Sequence, residues 1–329
     1  MASGLTFHDA APKSAPMSHP AASWILTEGL AGLQSQALGL AEAAGLPADT
    51  RVLRPAWPWS RFPARFWPRP LAVVAEAVGT PFPRLAIGSG GMAGAVLAAL
   101  RTHAGVPVVQ VQNPRMDPRR FDLIIANRHD ELTGPNIIVT RTALHRVTPA
   151  RLAAEADRWR VRLADLKRPL VAVLLGGSNG RYRLDTTVGG KLAADLAAMA
   201  RCDNVGIMVT PSRRTDPAVT QLLRDALAPI GGRVWDFSGE NPCFGMLALA
   251  DLIIVTQDSV SMISEAAATT APVMFAPLPG KSRRQELFIR MMVREGRIRP
   301  FEGQFAPWAA TPLNDTQEAA AEMRRRLGL

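Results

Sequence analysis

The sequence predicts an α/β protein made of two Rossmann-like, doubly wound domains facing across a cleft. Three observations carry this. Short β-branched runs alternate with helix-length stretches through both halves of the chain. Most of those runs end in a turn rich in Gly, Ser or Pro that leads into the next helix. A length of 329 residues is too great for a typical single domain and suits two of ordinary size.

The elements follow in order. Residues 1–19 lack the long apolar core of a secretory signal, and residues 1–20 read as a disordered tail. Trp24–Thr27 is a buried strand, Glu28–Gly32 a glycine turn, and Gln34–Ala44 a helix stopped at Gly45-Leu46-Pro47. Arg51–Pro70 alternates Pro, Trp and Arg without helical or strand periodicity, so it is a long loop, and long loops are often functional. Further strands are expected at Arg84–Gly88, Val106–Gln112, Phe121–Asn127 and Asn136–Thr140, with a helix at Met92–His103. Pro149 to about Leu166 is an amphipathic helix leading out of this domain.

In the second half the expected strands are Leu170–Leu175, Asn204–Thr210, Arg233–Phe237, Leu252–Val255 and Val273–Ala276. Helices are expected near Val188–Ala200, Pro217–Ala228, Phe244–Ala250, Val260–Thr269, Arg284–Glu295 and Thr316–Leu327. The domains are therefore 21–150 and 169–312, joined by a linker helix at 151–168. Residues 313–329 form a closing helix placed to pack back on the first domain.

Composition narrows the partners. Lys+Arg 38 against Asp+Glu 28 leaves a net charge of +10, which favours an anionic partner: a nucleoside diphosphate, a phospholipid surface or a nucleic acid. A genome that prefers arginine explains the same excess. The two cysteines, Cys202 and Cys243, lie far apart outside any metal or disulfide pattern, so a reducing compartment and no metal site are expected. No apolar run is long enough to span a bilayer. The expected location is cytoplasmic, with peripheral contact at the inner membrane face left open.

Ligands of doubly wound sheets bind beyond the carboxyl ends of the strands, so those loops hold the candidates. Gly176-Gly177-Ser178-Asn179-Gly180 matches a G-x-S-x-G nucleophile elbow, but no histidine lies beyond His145 to complete a triad in hydrolase order. A phosphate cradle of backbone N–H groups is the better functional reading, with a plain tight turn as the alternative. Gly88-Ser89-Gly90-Gly91-Met92-Ala93-Gly94 is a poor dinucleotide fingerprint, because its spacing is off and the next strand ends at Gln110-Val111-Gln112, not in an acid. Thr256–Glu265 is the most informative stretch. Asp258 or Ser259 caps a helix whose free N–H groups and dipole suit an anion, and Glu265 projects from the same side as Ser261, where it can accept from ribose hydroxyls. An ordinary capped helix with a solvated Glu is the alternative. Arg213 and Arg214 end the neighbouring strand, and one guanidinium there suits a diphosphate. Of the histidines, His129, beside Asp130, follows a strand of the first domain and is the candidate general base; a solvent-facing loop histidine is the plain alternative.

These residues resemble a known family. Thr27–Gly32, Gln36–Ala43, Gln112–Arg115, Phe121–Ile124, Gly134–Asn136, Ala143–Thr148, Gly176–Ser178, Tyr182–Leu184, Val209–Arg214, Gly239–Pro242 and Asp258–Glu265 together look like the mitochondrial-fission Elm family, from about Trp24 onward. Its bacterial members are regarded as glycosyltransferases of the GT-B type. Asp251–Gly296 also resembles the donor half of the lipid-linked N-acetylglucosaminyltransferase of peptidoglycan synthesis, through Ser264-Glu265, Pro277-Leu278-Pro279 and Lys281–Gln285. By that likeness Glu265 holds the ribose, Gln285 touches the donor sugar, and Ser259 and Ser261 bind the diphosphate. The chain departs from the Elm pattern at Gly90-Gly91, on the acceptor side.

The resulting expectation is a metal-independent glycosyltransferase without a cofactor. It moves sugar from a nucleoside-diphosphate sugar, held by Gly176, Gly177, Ser178, Arg213, Ser259, Ser261, Glu265 and Gln285, to an envelope glycan or lipid-linked acceptor. His129 or Asp130 is the expected base. The 51–70 loop supplies anchors for a membrane surface, and no nucleic-acid partner is expected. The other reading is a non-catalytic, membrane-associated binding protein of the same fold.

Overall fold

The structure, a computed structural model, describes residues 23–329; the leader considered above lies outside the described residues. In the first lobe the chain runs β1 (Ser23–Thr27), α1 (Ala31–Ala43), β2 (Ala48–Val52), α2 (Pro70–Val73), β3 (Ala86–Ser89), α3 (Gly91–Ala104), β4 (Val108–Val111), β5 (Leu123–Asn127) and β6 (Ile137–Thr140). The second lobe continues with α4 (Pro149–Arg160), β7 (Leu170–Leu175), α5 (Thr186–Cys202), β8 (Gly206–Pro211), α6 (Pro217–Leu227), β9 (Arg233–Val234) and α7 (Cys243–Leu249). It is completed by β10 (Leu252–Thr256), α8 (Val260–Ala267), β11 (Val273–Ala276), α9 (Arg283–Arg294) and β12 (Ile298–Pro300), and α10 (Asp315–Leu327) follows.

Each lobe is one six-stranded sheet, ordered β2-β1-β3-β4-β5-β6 and β12-β11-β10-β7-β8-β9, and all strand pairs are parallel. Parallel strands need helical crossovers that cover both faces, which is why β7 (Leu170-Val-Ala-Val-Leu-Leu175) is apolar and buried at every position. Its odd-numbered side chains join one core with Leu196, Val209 and Leu223, and its even-numbered ones join another with Trp159, Ile263 and Phe288.

Two strands escape the sequence reading. β2 (Ala-Asp-Thr-Arg-Val) is a half-exposed edge strand, so no apolar alternation marks it, and the loop begins after Val52. Edge strand β12 covers only three residues. The helix expected to link the domains is also reassigned. α4 stops at Arg160 and buries Trp159 in the second lobe's core, so the crossover is the extended stretch 141–148. α10 returns to the first lobe, where Ala319, Ala320 and Met323 join the core of α1 and β1, and Arg324 donates to the Ala44 carbonyl at 2.9 Å.

Asp315 pins both crossings. Its buried carboxylate accepts from the Thr142 N–H at 3.0 Å, from the Arg141 N–H and from the Arg141 guanidinium. Arg297 does the equivalent work inside the second lobe. It is 2% exposed and donates to the carbonyls of Ala266, Ala267, Thr269 and Ala271, where α8 ends and its dipole is negative.

Candidate functional site

Both sheets have a topological switch point, where strand order reverses and the flanking loops part to leave a crevice. In the second lobe it lies between β7 and β10; in the first, between β1 and β3.

At the second-lobe switch point the glycine loop meets the start of α8. Asp258, 8% exposed, accepts from the Gly177 N–H at 3.1 Å and from the Thr256 hydroxyl at 2.8 Å. Thr256 in turn accepts from the Gly176 N–H at 2.7 Å. Arg214 closes the circle, bonding Asp258 at 2.9 Å and the Gly177 carbonyl at 3.2 Å. The packing is too close for side chains: a Cβ on Gly176 would lie 2.2 Å from the Asp258 carboxylate, and one on Gly177 would lie 2.1 Å from the Arg214 carbonyl. The glycines therefore serve a buried carboxylate, and the N–H groups of Gly176 and Gly177 are not free to cradle a phosphate as expected. Ser178 likewise uses its hydroxyl to accept from the Leu184 N–H at 2.9 Å.

What remains open to an anion is the start of α8. Ser259 is the N-cap, accepting from the Met262 N–H at 3.3 Å. The N–H groups of Val260 and Ser261 are left without partners inside the helix. Arg214 stands beside this crevice, its side chain 45% exposed. The expected Arg213 is exposed and outside this network, so the strand-end arginine that joins the crevice is its neighbour. Gln285 is also corrected: it is buried and donates its amide to the Gln257 carbonyl, which positions the loop after β10.

Ser261 and Glu265 face the first lobe. The Ser261 hydroxyl accepts from the Gln36 amide of α1 at 3.4 Å, and Gln36 accepts from Gln112 at 3.1 Å. One turn on, Glu265 is hydrogen-bonded to Ser35 of α1 and lies near Arg151 and Cys243. Burial pushes its carboxyl up to about 7, against the pull of Arg151 and Ser35. Arg151 stacks over Phe244 at 3.8 Å. Sequence reasoning missed Ser35, Arg151 and Phe244, because their roles depend on the closeness of the lobes.

The first-lobe switch point holds a carboxylate that the sequence reading left in a turn. Glu28, half-buried at the end of β1, accepts from the Met92 N–H at 2.8 Å and so sits on the positive end of α3. Gly90 makes this possible: its φ is +101°, and a Cβ there would lie 2.6 Å from the Glu28 carboxylate. The departure from the family pattern at Gly90-Gly91 is therefore where Glu28 docks.

His129 and Asp130 lie elsewhere, clamped against α9. His129 is 6% exposed with its ring edge-on to Phe288 at 5.5 Å, and Asp130 is ion-paired with Arg284. Glu131 adds a pair with Arg283 at 2.9 Å. The turn that sequence reasoning read as carrying a base is thus a contact between lobes. Burial, aided by Arg284, lowers the imidazole from 6.5 to about 4. A histidine held neutral in the folded state excludes a proton that the unfolded chain binds below about pH 6.5. Its contribution is fully present above that pH and is lost as pH falls from about 6.5 towards about 4. We expect urea midpoints measured at pH 7.5 and 5 to show a smaller acid loss in His129→Leu than in wild type; an equal loss would contradict the assignment.

Residues 31–327 match the mitochondrial fission ELM1 family. The chain belongs to that family. The mitochondrial fission protein ELM1 of Arabidopsis thaliana is 32% identical over 249 residues, a match covering 67% of this chain and 58% of that protein. Among solved structures, MurG of Acinetobacter baumannii superposes with a TM-score of 0.51 at 17% identity, covering 92% of this chain and 93% of that one. A UDP-GlcNAc 2-epimerase of Neisseria meningitidis, bound to UDP-GlcNAc, gives 0.51 at 10% identity over 93% and 99%. Identities this low establish the fold: two Rossmann-like lobes of the GT-B type.

Proposed function

We propose that this family member transfers a sugar from a nucleoside-diphosphate sugar to an acceptor hydroxyl, with the diphosphate on the α8 start and the acceptor at the Glu28 crevice. The carrying observation is that the two switch-point crevices face each other, since Ser261 of one lobe touches Gln36 of the other. Structural neighbours that hold UDP-GlcNAc in the same fold support the donor class. As the sugar leaves, charge grows on the diphosphate. The unpaired N–H groups of Val260 and Ser261, the α8 dipole and Arg214 offset it, so no metal ion is required. Glu265, freed from Ser35, accepts from the ribose hydroxyls. Glu28 stands where a general base is needed, one oxygen held by Met92 and the other accepting no hydrogen bond among the described residues.

A thermal-shift series with UDP, GDP, ADP and dTDP tests the donor side. A ligand at a hundred times its Kd adds about 2.7 kcal/mol of stability, a shift of several degrees. At least one nucleotide is expected to give it, and Glu265→Ala to abolish most of it. No response to any of the four would instead favour a binding protein without transferase activity.

The acceptor in this reading is lipid-linked or lies at an envelope surface. Trp57, Phe62 and Phe66 are 81%, 52% and 61% exposed, in a loop that also carries Arg54, Arg61, Arg65 and Arg69 and no acid. Buried Trp67 holds the loop rigid by donating to the Trp59 and Phe62 carbonyls at 3.1 and 3.2 Å. No helix among the described residues is long and apolar enough to cross a membrane. Aromatic anchors ringed by arginine suit the surface of an anionic bilayer. Co-sedimentation with vesicles containing phosphatidylglycerol should fall at least tenfold in a Trp57→Ser, Phe62→Ser, Phe66→Ser triple variant, and unchanged binding would refute the contact.

A further inference from the structure

We propose that a cavity at the hinge, on the side of α1 away from the donor crevice, is a second ligand site that takes a small phosphate monoester. The cavity measures about 280 Å³ and opens between α1, the crossover 145–151 and the first turn of α10. None of its lining residues belongs to the glycine loop, the α8 start or the Glu28 crevice.

Its chemistry is that of a donor-rich pocket. His145 lines it, is 1% exposed, and has neither ring nitrogen in a hydrogen bond of good geometry. An unpartnered buried polar group of this kind needs an explanation, and a ligand supplies one. Burial lowers its imidazole to about 4, with the Asp315 charge and the Val147 backbone opposing, so at neutral pH it offers one N–H. The two threonines of the cavity are also set to donate. The Thr316 hydroxyl oxygen accepts from the His145 N–H at 3.0 Å and the Thr148 oxygen accepts from the Arg151 N–H at 3.2 Å, so both hydroxyl protons are unspent.

Charge points the same way. Arg146 is paired with Glu42, whereas Arg151 makes no ion pair among the described residues, though Glu265 lies near it. Two guanidiniums against the one carboxylate of the lining leave a positive balance. The cavity also abuts the start of α10, whose N-cap residue Asn314 makes no side-chain cap bond, and that helix end adds positive potential. Pockets for drug-sized ligands run from roughly 300 to 1,000 Å³, so the occupant is a small one such as a sugar phosphate or free phosphate. Gly39 keeps the crossover against α1, because a Cβ there would lie 2.3 Å from the His145 carbonyl. A ligand here bridges both lobes, contacting α1 and α10 on one side and the start of α4 on the other.

Titration calorimetry of the full chain with glucose 6-phosphate, inorganic phosphate and glucose tests this. Glucose 6-phosphate is expected to bind once per chain, glucose not at all, and inorganic phosphate only if the phosphoryl group suffices. His145→Phe removes the orphaned N–H. Ala43→Phe fills the cavity without removing any hydrogen bond, and carries the test if the first variant fails to fold. Both should weaken glucose 6-phosphate at least tenfold while leaving UDP affinity unchanged. The proposal is overturned if neither phosphate binds wild type at millimolar concentration. It is equally overturned if binding survives both changes, or if UDP displaces the ligand competitively, since the phosphate would then occupy the donor crevice. Its failure leaves the transferase reading standing, because that reading is tested by UDP binding alone.

Discussion

Asp258→Ala is expected to lower the stability of the second lobe by about 3–5 kcal/mol and to abolish nucleotide binding. The carboxylate is buried and receives a backbone N–H, a hydroxyl and a guanidinium. Without it the Gly177 N–H loses its partner, Arg214 loses its counter-charge, and the glycine loop is no longer tied to the start of α8. For a lobe of this size 1 kcal/mol moves Tm by roughly 2–4 °C, so the variant should melt about 6–20 °C earlier in the calorimeter. Asp258→Asn keeps the shape and part of the bonding and should lose less. A variant that melts with wild type and binds UDP normally would mean that the network is ornamental.

Glu28→Gln is expected to leave folding and nucleotide affinity intact and to cut transfer about 10²–10⁴-fold, the usual contribution of a general base. The amide still accepts the Met92 N–H through its oxygen, so α3 keeps its cap while the basic oxygen is lost. Single-turnover transfer with a competent donor and acceptor, alongside UDP affinity, separates the two effects. A loss confined to KM, or no loss, would remove Glu28 from the chemistry. His129→Gln supplies the contrast: clamped against Phe288, that residue should affect stability more than turnover.

Much of this architecture was readable in advance, for a physical reason. Strands buried on both faces, such as Leu170–Leu175 and Leu252–Thr256, must be continuous apolar runs, and the turn residues after them mark where each helix starts. β2 and β12 escaped because edge strands are free of that demand. The pairing of the lobes was legible only as a family likeness, and the site only in part. Thr256–Glu265 declared itself through its capping residues, and Ser259 does cap α8. Which of Arg213 and Arg214 turns inward depends on the path of a loop, which residue types do not encode. Asp258 read as a cap and proves to be a buried staple, because its partners sit eighty residues away on Gly176-Gly177. Glu28 lay in plain view after β1. Its significance needed the strand order, which places β1 beside β3 and so brings Gly90 and Met92 to its carboxylate.

The central claim is that the loops after β7 and β10 form a nucleoside-diphosphate site, and calorimetric titration of the full chain with UDP, GDP, ADP and dTDP tests it most directly. At least one of them should bind with a stoichiometry of one per chain, and that heat should vanish in Asp258→Ala and shrink in Glu265→Ala. Absence of saturable binding by all four to the folded wild-type chain at millimolar concentration would contradict the account, as would a nucleotide whose affinity is indifferent to both substitutions.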